Sequence, residues 1–340
     1  MTTQPALTVE SPDADLTDAD LTDADPPAEP ALPSLSPSRA ADFKICPLLY
    51  RFRTIDRLPE TPTPDQARGT LVHAVLERLF DLPATDRTRQ AAAELVGPQW
   101  QRLTEEEPEL AALLAGDEGD EFLASTGPLL DGYFAVEDPR RLEPDARESL
   151  IETVVDDELR LRGFVDRLDV SPAGELRVVD YKTGGAPREA FEARALFQLK
   201  FYALVLWRTR GQVPRVLRLL YLRDAEICDY APEAEELVRF ERTLFALWHA
   251  IERATETRDF RPKPSRLCGW CSHQAHCPAF GGTPPPFPEP APEGELAGTP
   301  DPRRAADDGV VRARPAGLRP VRWPWPGTTG RRTPRRCRNR

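Results

Sequence analysis

Lysine is scarce in this chain. Of 45 basic residues only Lys44, Lys182, Lys200 and Lys263 are lysines, so arginine is the default cation. A lysine set beside acids against that background marks a need for a compact, tunable ammonium. No Gly-Lys pair occurs, which excludes a G-x-x-x-x-G-K-[ST] phosphate loop and a nucleotide-driven motor built on one. Apolar runs are short, well under the roughly 18 residues a membrane-spanning helix needs, so no membrane partner is expected. The first residues lack a basic stretch leading into an apolar one, so a signal peptide is not expected. A cytoplasmic chain with reduced thiols follows as the expectation.

Both ends are compositionally biased. Residues 1–33 hold eight acids and no Lys or Arg, and SPDADLTDADLTDADPP reads as a disordered acidic tail. Residues 281–340 carry 12 Arg against 6 acids, are rich in Pro, and read as a second disordered tail. The part between, 34–280, is expected to fold as one domain and is net acidic. Binding to nucleic acid then needs locally clustered arginine, not a global positive field.

The centre of that domain is Gly163–Gly184, GFVDRLDVSPAGELRVVDYKTG. It reads as two strands joined by a Ser-Pro-Ala-Gly turn. Side chains alternate along a strand, so Asp180 and Lys182 share a face. A five-residue connection, Ser171 to Glu175, pairs Val170 with Leu176 and sets Asp166 opposite Asp180. A four-residue connection sets Asp166 opposite Val179, on the wrong face. Facing carboxylates repel unless a cation lies between them, and an adjacent ammonium can steady an anion or a metal-bound water. That is the chemistry of metal-dependent phosphodiester cleavage. A charged surface hairpin is the plain alternative.

The flanking segments supply further candidates. Ser36 or Ser38 caps a helix running to about Cys46. Phe43, Pro47, Tyr50 and Phe52 are interleaved with Arg39, Arg51, Arg53 and Arg57, a mixture that suits either a nucleic-acid strand or a basic surface helix. Gly69–Leu82 reads as an amphipathic helix with His73 and Glu77 one turn apart. Residues 86–138 read as a helical insertion interrupted by Pro98, Pro108 and Pro128. A strand is expected around Ile151–Val155. Pro187–Arg208 reads as a helix presenting Gln198 and Tyr202 four residues apart, either toward the carboxylates or into core hydrogen bonds. Strands at Val216–Leu222 and Glu226–Tyr230 and a long helix at Pro232–Arg258 complete the domain.

Three cysteines, Cys268, Cys271 and Cys277, stand in the spacing C-x2-C-x5-C, which in a reducing compartment points to metal. Cys46, Cys228, Cys337, His273 and His276 compete to be the fourth ligand. Spacing alone leaves zinc and an iron–sulfur cluster both open. Cys228, inside a strand, is expected to be an ordinary buried thiol.

In this order the pieces resemble the RecB-type nucleases of the PD-(D/E)XK superfamily. More narrowly, they resemble the iron–sulfur subgroup that includes AddB and the CRISPR-associated adaptation nucleases. The match runs through His73 in GTLVHAVLE, Asp166 in GFVDRLD, Asp180-Tyr181-Lys182, Gln198 and Tyr202 in QLKFYALVL, and Cys46 with the closing triad. Val165 stands where the superfamily name has proline. The resemblance implies an α/β core, a mixed sheet flanked by helices, with an Fe–S-stapled C-terminal segment. It implies that His73, Asp166, Asp180 and the Tyr181 carbonyl hold Mg²⁺ or Mn²⁺. It assigns Lys182 to the attacking water, and Gln198 and Tyr202 to positioning. It places a [4Fe–4S] cluster on Cys46, Cys268, Cys271 and Cys277. The function expected is a DNA exonuclease acting at single-stranded ends in repair or recombination, with a separate helicase as partner. The alternative is a non-catalytic, metal-stapled DNA-binding adaptor.

Overall fold

A computed structural model describes residues 32–113, 118–186, 192–289 and 334–337. The expected acidic tail falls almost wholly outside those residues, as do most of the basic tail and the Pro187 start of the expected helix.

Seven strands form one mixed sheet. They are β1 (Ser34–Leu35), β2 (Ala146–Val155), β3 (Leu159–Val170), β4 (Leu176–Lys182), β5 (Val216–Tyr221), β6 (Glu226–Tyr230) and β7 (Arg335–Arg336). The helices are α1 (Pro37–Ile45), α2 (Pro47–Tyr50), α3 (Pro64–Leu79), α4 (Arg89–Glu94), α5 (Val96–Glu106), α6 (Pro108–Leu113), α7 (Glu118–Ala124), α8 (Gly127–Val136), α9 (Glu192–Arg210) and α10 (Ala234–Thr257).

Local chemistry explains most boundaries. Ser36 caps α1, accepting the Arg39 N–H on its hydroxyl, with Pro37 in the first turn. Thr63 and Gln66 form a reciprocal capping box at α3. The prolines of the insertion, Pro98, Pro108 and Pro128, all sit in first turns, where a missing N–H costs nothing. They start helices instead of interrupting them.

Strand β3 organises the sheet. One of its edges pairs with β2 along nearly its whole length, from Val155↔Leu159 to Ala146↔Leu168. Its other edge is shared. Strand β1 runs parallel to it at Ser34↔Arg160 and Leu35↔Leu161, and β4 runs antiparallel from Val170↔Leu176 to Arg167↔Val179. The stretch Arg162–Asp166 lies between those two partners. Strand β4 continues beyond the β3 ladder, parallel to β5 as far as Lys182↔Tyr221. The sheet therefore forks where Asp166 and Asp180 stand.

The two faces bury different cores. Leu168, Val178, Leu217 and Leu219 pack with α1, α9 and α10, where Leu237, Leu244 and Ile251 point inward. Val179, Tyr181, Leu220 and Leu222 pack with α3 and the helical insertion. At about 25 cal/mol per Å² of apolar surface removed from water, these two layers are the main driving force for folding. Contact across the second layer is close at Gly132 of α8. A Cβ there would lie 1.8 Å from the Leu222 carbonyl oxygen, so only glycine lets the helix meet the end of β5.

Three expectations are corrected here. Cys228 is not a free thiol: it forms a disulfide with Cys337, Cα to Cα 5.3 Å. Strand β7 adds in parallel to the edge of β6, and the Cys337 N–H donates to the Asp229 carbonyl, which sets the two sulfurs side by side. The ordered domain also extends past 280. Phe287 stacks on Phe260, and the Arg51 guanidinium lies 5.2 Å over the Phe287 ring. Finally, the arginine–aromatic run is not a stacking face. Phe43, Tyr50 and Phe52 are buried, Arg51 pairs with Asp56, and Arg53 pairs with Asp42 and Glu60.

Candidate active site

The connection between β3 and β4 is the five-residue one. Ser171 N–H donates to the Glu175 carbonyl, closing the turn, and Val170 pairs with Leu176. Asp166 and Asp180 accordingly take the first positions past the end of the ladder. There the Tyr181 N–H, without a strand partner on the β3 side, donates to Asp166 Oδ2 at 2.8 Å. A side chain substitutes for the missing backbone rung.

His73 comes to this fork from α3. Its Nε2 lies 3.0 Å from the Tyr181 carbonyl oxygen, and its Nδ1 lies 3.2 Å from Glu148 Oε1 and 3.5 Å from Asp166 Oδ2. The ring stands edge-on to the Tyr181 ring, centroids 5.7 Å apart. The Tyr181 side chain is itself anchored on the opposite face, where Arg167 Nη1 donates to its hydroxyl at 2.8 Å. Arg167 is fully buried in an ionic cluster with Glu137 and Asp169, to which Arg177 and Arg218 add. Burial opposes the charge on Glu137, but Arg167 outweighs it and holds the carboxyl at about 2. Successive residues of β3 thus grip Tyr181 from both sides, Asp166 by its amide and Arg167 by its phenol.

Lys182 closes the other flank. Its Nζ lies 2.7 Å from Asp180 Oδ2 and donates to Gln198 Oε1 at 3.0 Å. Gln198 in turn donates through Nε2 to the Tyr202 hydroxyl at 2.9 Å. The four-residue spacing on α9 puts that amide and phenol one turn apart, facing β3 and β4. Tyr202 fits because β3 carries Gly163 beneath it: a Cβ there would fall 2.8 Å from Tyr202 Cε1. The structure therefore brings together His73, Asp166, Asp180, the Tyr181 carbonyl, Lys182, Gln198 and Tyr202.

Ionisation at the fork is strongly perturbed. Burial disfavours a charged His73, yet the Asp166 and Glu148 carboxylates prevail and lift it to about 9. Burial raises Asp180 to about 6, with Lys182 pulling the other way and Asp166 adding to the rise. Asp166 is raised chiefly by burial, against the opposing pull of His73. Crowded, buried carboxylates held with an imidazole and a carbonyl need positive charge between them, and all are hard oxygen or nitrogen donors. His73, Glu148 and Asp166 each offer a donor atom within 4.8 Å of the others. That donor set fits Mg²⁺ or Mn²⁺.

Glu148 is the residue sequence reasoning missed. It sits in β2, one step beyond the Arg147↔Arg167 pair, with its backbone in the left-handed region at φ 38°. Glu77, the residue singled out beside His73, makes no contact with this set among the interactions of the described residues.

The cysteines gather apart from the fork. Cys46 Sγ accepts the Lys263 N–H at 3.4 Å and Cys268 Sγ accepts the Ser265 N–H at 3.2 Å. Burial raises the Cys271 thiol; the His273 N–H and Arg53 oppose that, while Cys268 and Cys46 add to it. Cys46 is thus a neighbour of the triad although 222 positions separate it in number from Cys268. The rival ligands are engaged elsewhere: Cys228 and Cys337 with each other, and His273 with Glu60 at 2.7 Å. Sulfur donors receiving backbone amides suit either a cluster or zinc.

No helix among the described residues is long and apolar enough to cross a membrane. Comparison with known proteins agrees with the fork. The chain is 28% identical over 275 residues to the Gene 69 protein of Mycobacterium phage D29, covering 73% of this chain and 98% of that one. It is 25% identical over 289 residues to the Gene 69 protein of Mycobacterium phage L5, covering 73% and 97%. A crystal structure from Eubacterium rectale, described as a candidate exonuclease, overlays with a TM-score of 0.46 at 10% identity, covering 78% of this chain and 93% of that one. The family assignment rests on none of these but on a sequence model of the PD-(D/E)XK nuclease superfamily, which matches residues 34–278. With that match spanning every residue of the fork, this chain belongs to the PD-(D/E)XK nuclease superfamily.

Proposed function

We propose that this chain is a divalent-metal-dependent deoxyribonuclease, an exonuclease that hydrolyses phosphodiester bonds at single-stranded ends in DNA repair or recombination. One observation carries the reading: His73, Asp166, Asp180 and the Tyr181 carbonyl converge where β3 and β4 part, with Lys182 beside them. His73, Asp166, Asp180 and Tyr181 would hold Mg²⁺ or Mn²⁺. When bound, such an ion polarises a phosphate and lowers the pKa of a coordinated water.

The protein's own groups do the rest. Asp166 and Asp180 repel a phosphate approaching the empty fork, so the strand engages productively only once that charge is compensated. Lys182, held between Asp180 and Gln198, keeps a fixed ammonium beside the place where charge builds on phosphorus. Tyr202 fixes Gln198, and through it the direction of Lys182. Preorganisation of this kind costs no rearrangement at the moment of reaction.

The second part of the reading is a [4Fe–4S] cluster on Cys46, Cys268, Cys271 and Cys277, with zinc as the alternative metal. Its role is structural. It ties the end of α1 to the segment after α10, closing nearly the whole ordered chain into one loop. Unwinding falls to a separate helicase, because the chain lacks a phosphate loop. The cytoplasm is the compartment in which this chemistry is placed.

End-labelled single- and double-stranded DNA, each with Mg²⁺, Mn²⁺ or EDTA, tests the first part. Metal-dependent release of label from single strands is expected, and binding without cleavage in every arm contradicts it. Anaerobic purification tests the second part. Brown protein with stoichiometric iron and sulfide is expected, and colourless protein containing only zinc contradicts the cluster.

A further inference from the structure

Glu148 takes a conformation that a strand residue avoids. At φ 38° its backbone lies in the left-handed region, where a non-glycine side chain costs about 1–3 kcal/mol by the usual scale for strained backbone. The strand around it is otherwise regular, and the β2–β3 pairing keeps one register from Ala146↔Leu168 to Val155↔Leu159. Strain in a regular strand persists only when the surroundings over-determine it. Here what the twist secures is visible: the carboxylate reaches across to His73, Oε1 to Nδ1 3.2 Å.

The imidazole is thereby specified at both ends. Nδ1 faces Glu148 and, at 3.5 Å, Asp166; Nε2 faces the Tyr181 carbonyl at 3.0 Å. Two ring nitrogens point in opposite directions, so one ion cannot be shared between the Nε2 side and Glu148. A histidine that ligates a metal nearly always donates its other N–H to a carboxylate, a carbonyl or a water, and that partner fixes both ring orientation and tautomer. Nε2 and the Tyr181 carbonyl point at one another across a gap in which both can serve a common ion. Nδ1 then needs an acceptor, and Glu148 is it.

From this geometry we infer that Glu148 is a positioning residue for metal binding. It accepts the Nδ1–H of His73, holds the ring edge-on to Tyr181, and so presents an unprotonated Nε2 to the divalent ion. The inference rests on the metal-site reading above. It assigns Glu148 no contact with the ion, the nucleophile or the DNA. It also accounts for the missing sequence signal: no motif predicts a glutamate whose importance comes from an unusual backbone angle.

The test compares wild type, Glu148→Gln and Glu148→Ala in the full-length chain. Mn²⁺ affinity is measured by calorimetry at one fixed pH, and the His73 ring by long-range proton–nitrogen NMR of the Mg²⁺-loaded protein. With four histidines in the chain, assignment is tractable. In wild type, Nδ1 should be protonated and Nε2 bare. Glu148→Ala should lose this single-tautomer signature and bind Mn²⁺ about 10–100-fold more weakly, the usual cost of removing such a partner. Glu148→Gln, which keeps an acceptor of nearly the same shape, should retain the tautomer and recover most of the affinity. The near-isosteric Gln variant keeps the test readable if Ala unfolds.

Two outcomes overturn the inference. One is an Nδ1 that is bare in the loaded wild type, which would make Glu148 a direct neighbour of the ion. The other is a Glu148→Ala protein with unchanged tautomer and affinity. Failure of wild type to bind Mn²⁺ at all is a different result, since it removes the metal-site reading itself.

Discussion

The amide of Tyr181 and the carboxylate of Asp166 form the rung that the sheet omits, N to Oδ2 2.8 Å. The same carboxyl group is counted among the metal donors, so it carries structure and chemistry together. These separate by substitution. Asp166→Asn keeps an oxygen for the Tyr181 N–H and removes the charge. It should fold with a melting temperature close to wild type while losing Mg²⁺-dependent digestion. Asp166→Ala should be equally inactive and also less stable, because a buried N–H left without a partner costs about 1–3 kcal/mol. Thermal melts run beside digestion assays check both halves.

Two glycines make opposite predictions. Gly163→Ala sets a methyl 2.8 Å from the Tyr202 ring, which must shift and drag Gln198 with it. Digestion should slow several-fold at a stability cost of about 1–3 kcal/mol, the usual range for overpacking. Gly132→Ala meets the Leu222 backbone instead, far from the ion donors. It should lower the unfolding midpoint more than Gly163→Ala does, while surviving folded protein digests DNA at the wild-type rate. Rates normalised to folded protein separate the two.

The Lys182–Gln198–Tyr202 chain predicts graded losses. Lys182→Arg keeps the charge but spreads it over a planar fork that cannot sit between Asp180 and Gln198 as a point donor, so it should not restore activity. Tyr202→Phe removes one hydrogen bond, typically about 0.5–1.5 kcal/mol, and should slow digestion about 2- to 12-fold without abolishing it. Steady-state digestion rates at saturating Mg²⁺ decide this.

Ion binding should depend on pH with a definite sign. In the ion-free fork His73 is raised from 6.5 to about 9 and Asp180 from 3.8 to about 6, for the reasons given above. At pH 7 the imidazole is therefore protonated, and an ion ligated by it must displace that proton. Mg²⁺ affinity should rise from pH 6 to pH 9. Calorimetry in buffers of different ionisation enthalpy should show release of about one proton at pH 7. The same upward shifts make the ion-free protein lose stability as pH climbs. The His73 contribution is complete below about 6.5 and gone above about 9, and the Asp180 contribution is complete below about 3.8 and gone above about 6. Added Mg²⁺ should flatten that decline.

Much of this was legible before any coordinates. The Ser-Pro-Ala-Gly turn and the alternation of Asp180 and Lys182 led to the correct register, because strand periodicity is a local property. Gln198 and Tyr202 were legible for the same reason, as one turn of a helix. What escaped depends on non-local geometry or on a rare backbone state. Glu148 is visible only through its φ and its reach to His73. The Cys228–Cys337 pair depends on a two-residue strand joining β6 from 109 positions away. Tyr50 and Phe52 misled because an aromatic beside arginine reads alike whether it stacks on a base or fills a core. Their burial beneath Arg51 and Arg53 decides for the core.

The most direct test is digestion of 5′-end-labelled single-stranded DNA by wild type and by Asp180→Ala, each with Mg²⁺, Mn²⁺ or EDTA. Wild type should release label only with a divalent ion, and Asp180→Ala should release none in any arm while remaining folded by circular dichroism. Undiminished release by Asp180→Ala would place the chemistry somewhere other than the fork between β3 and β4.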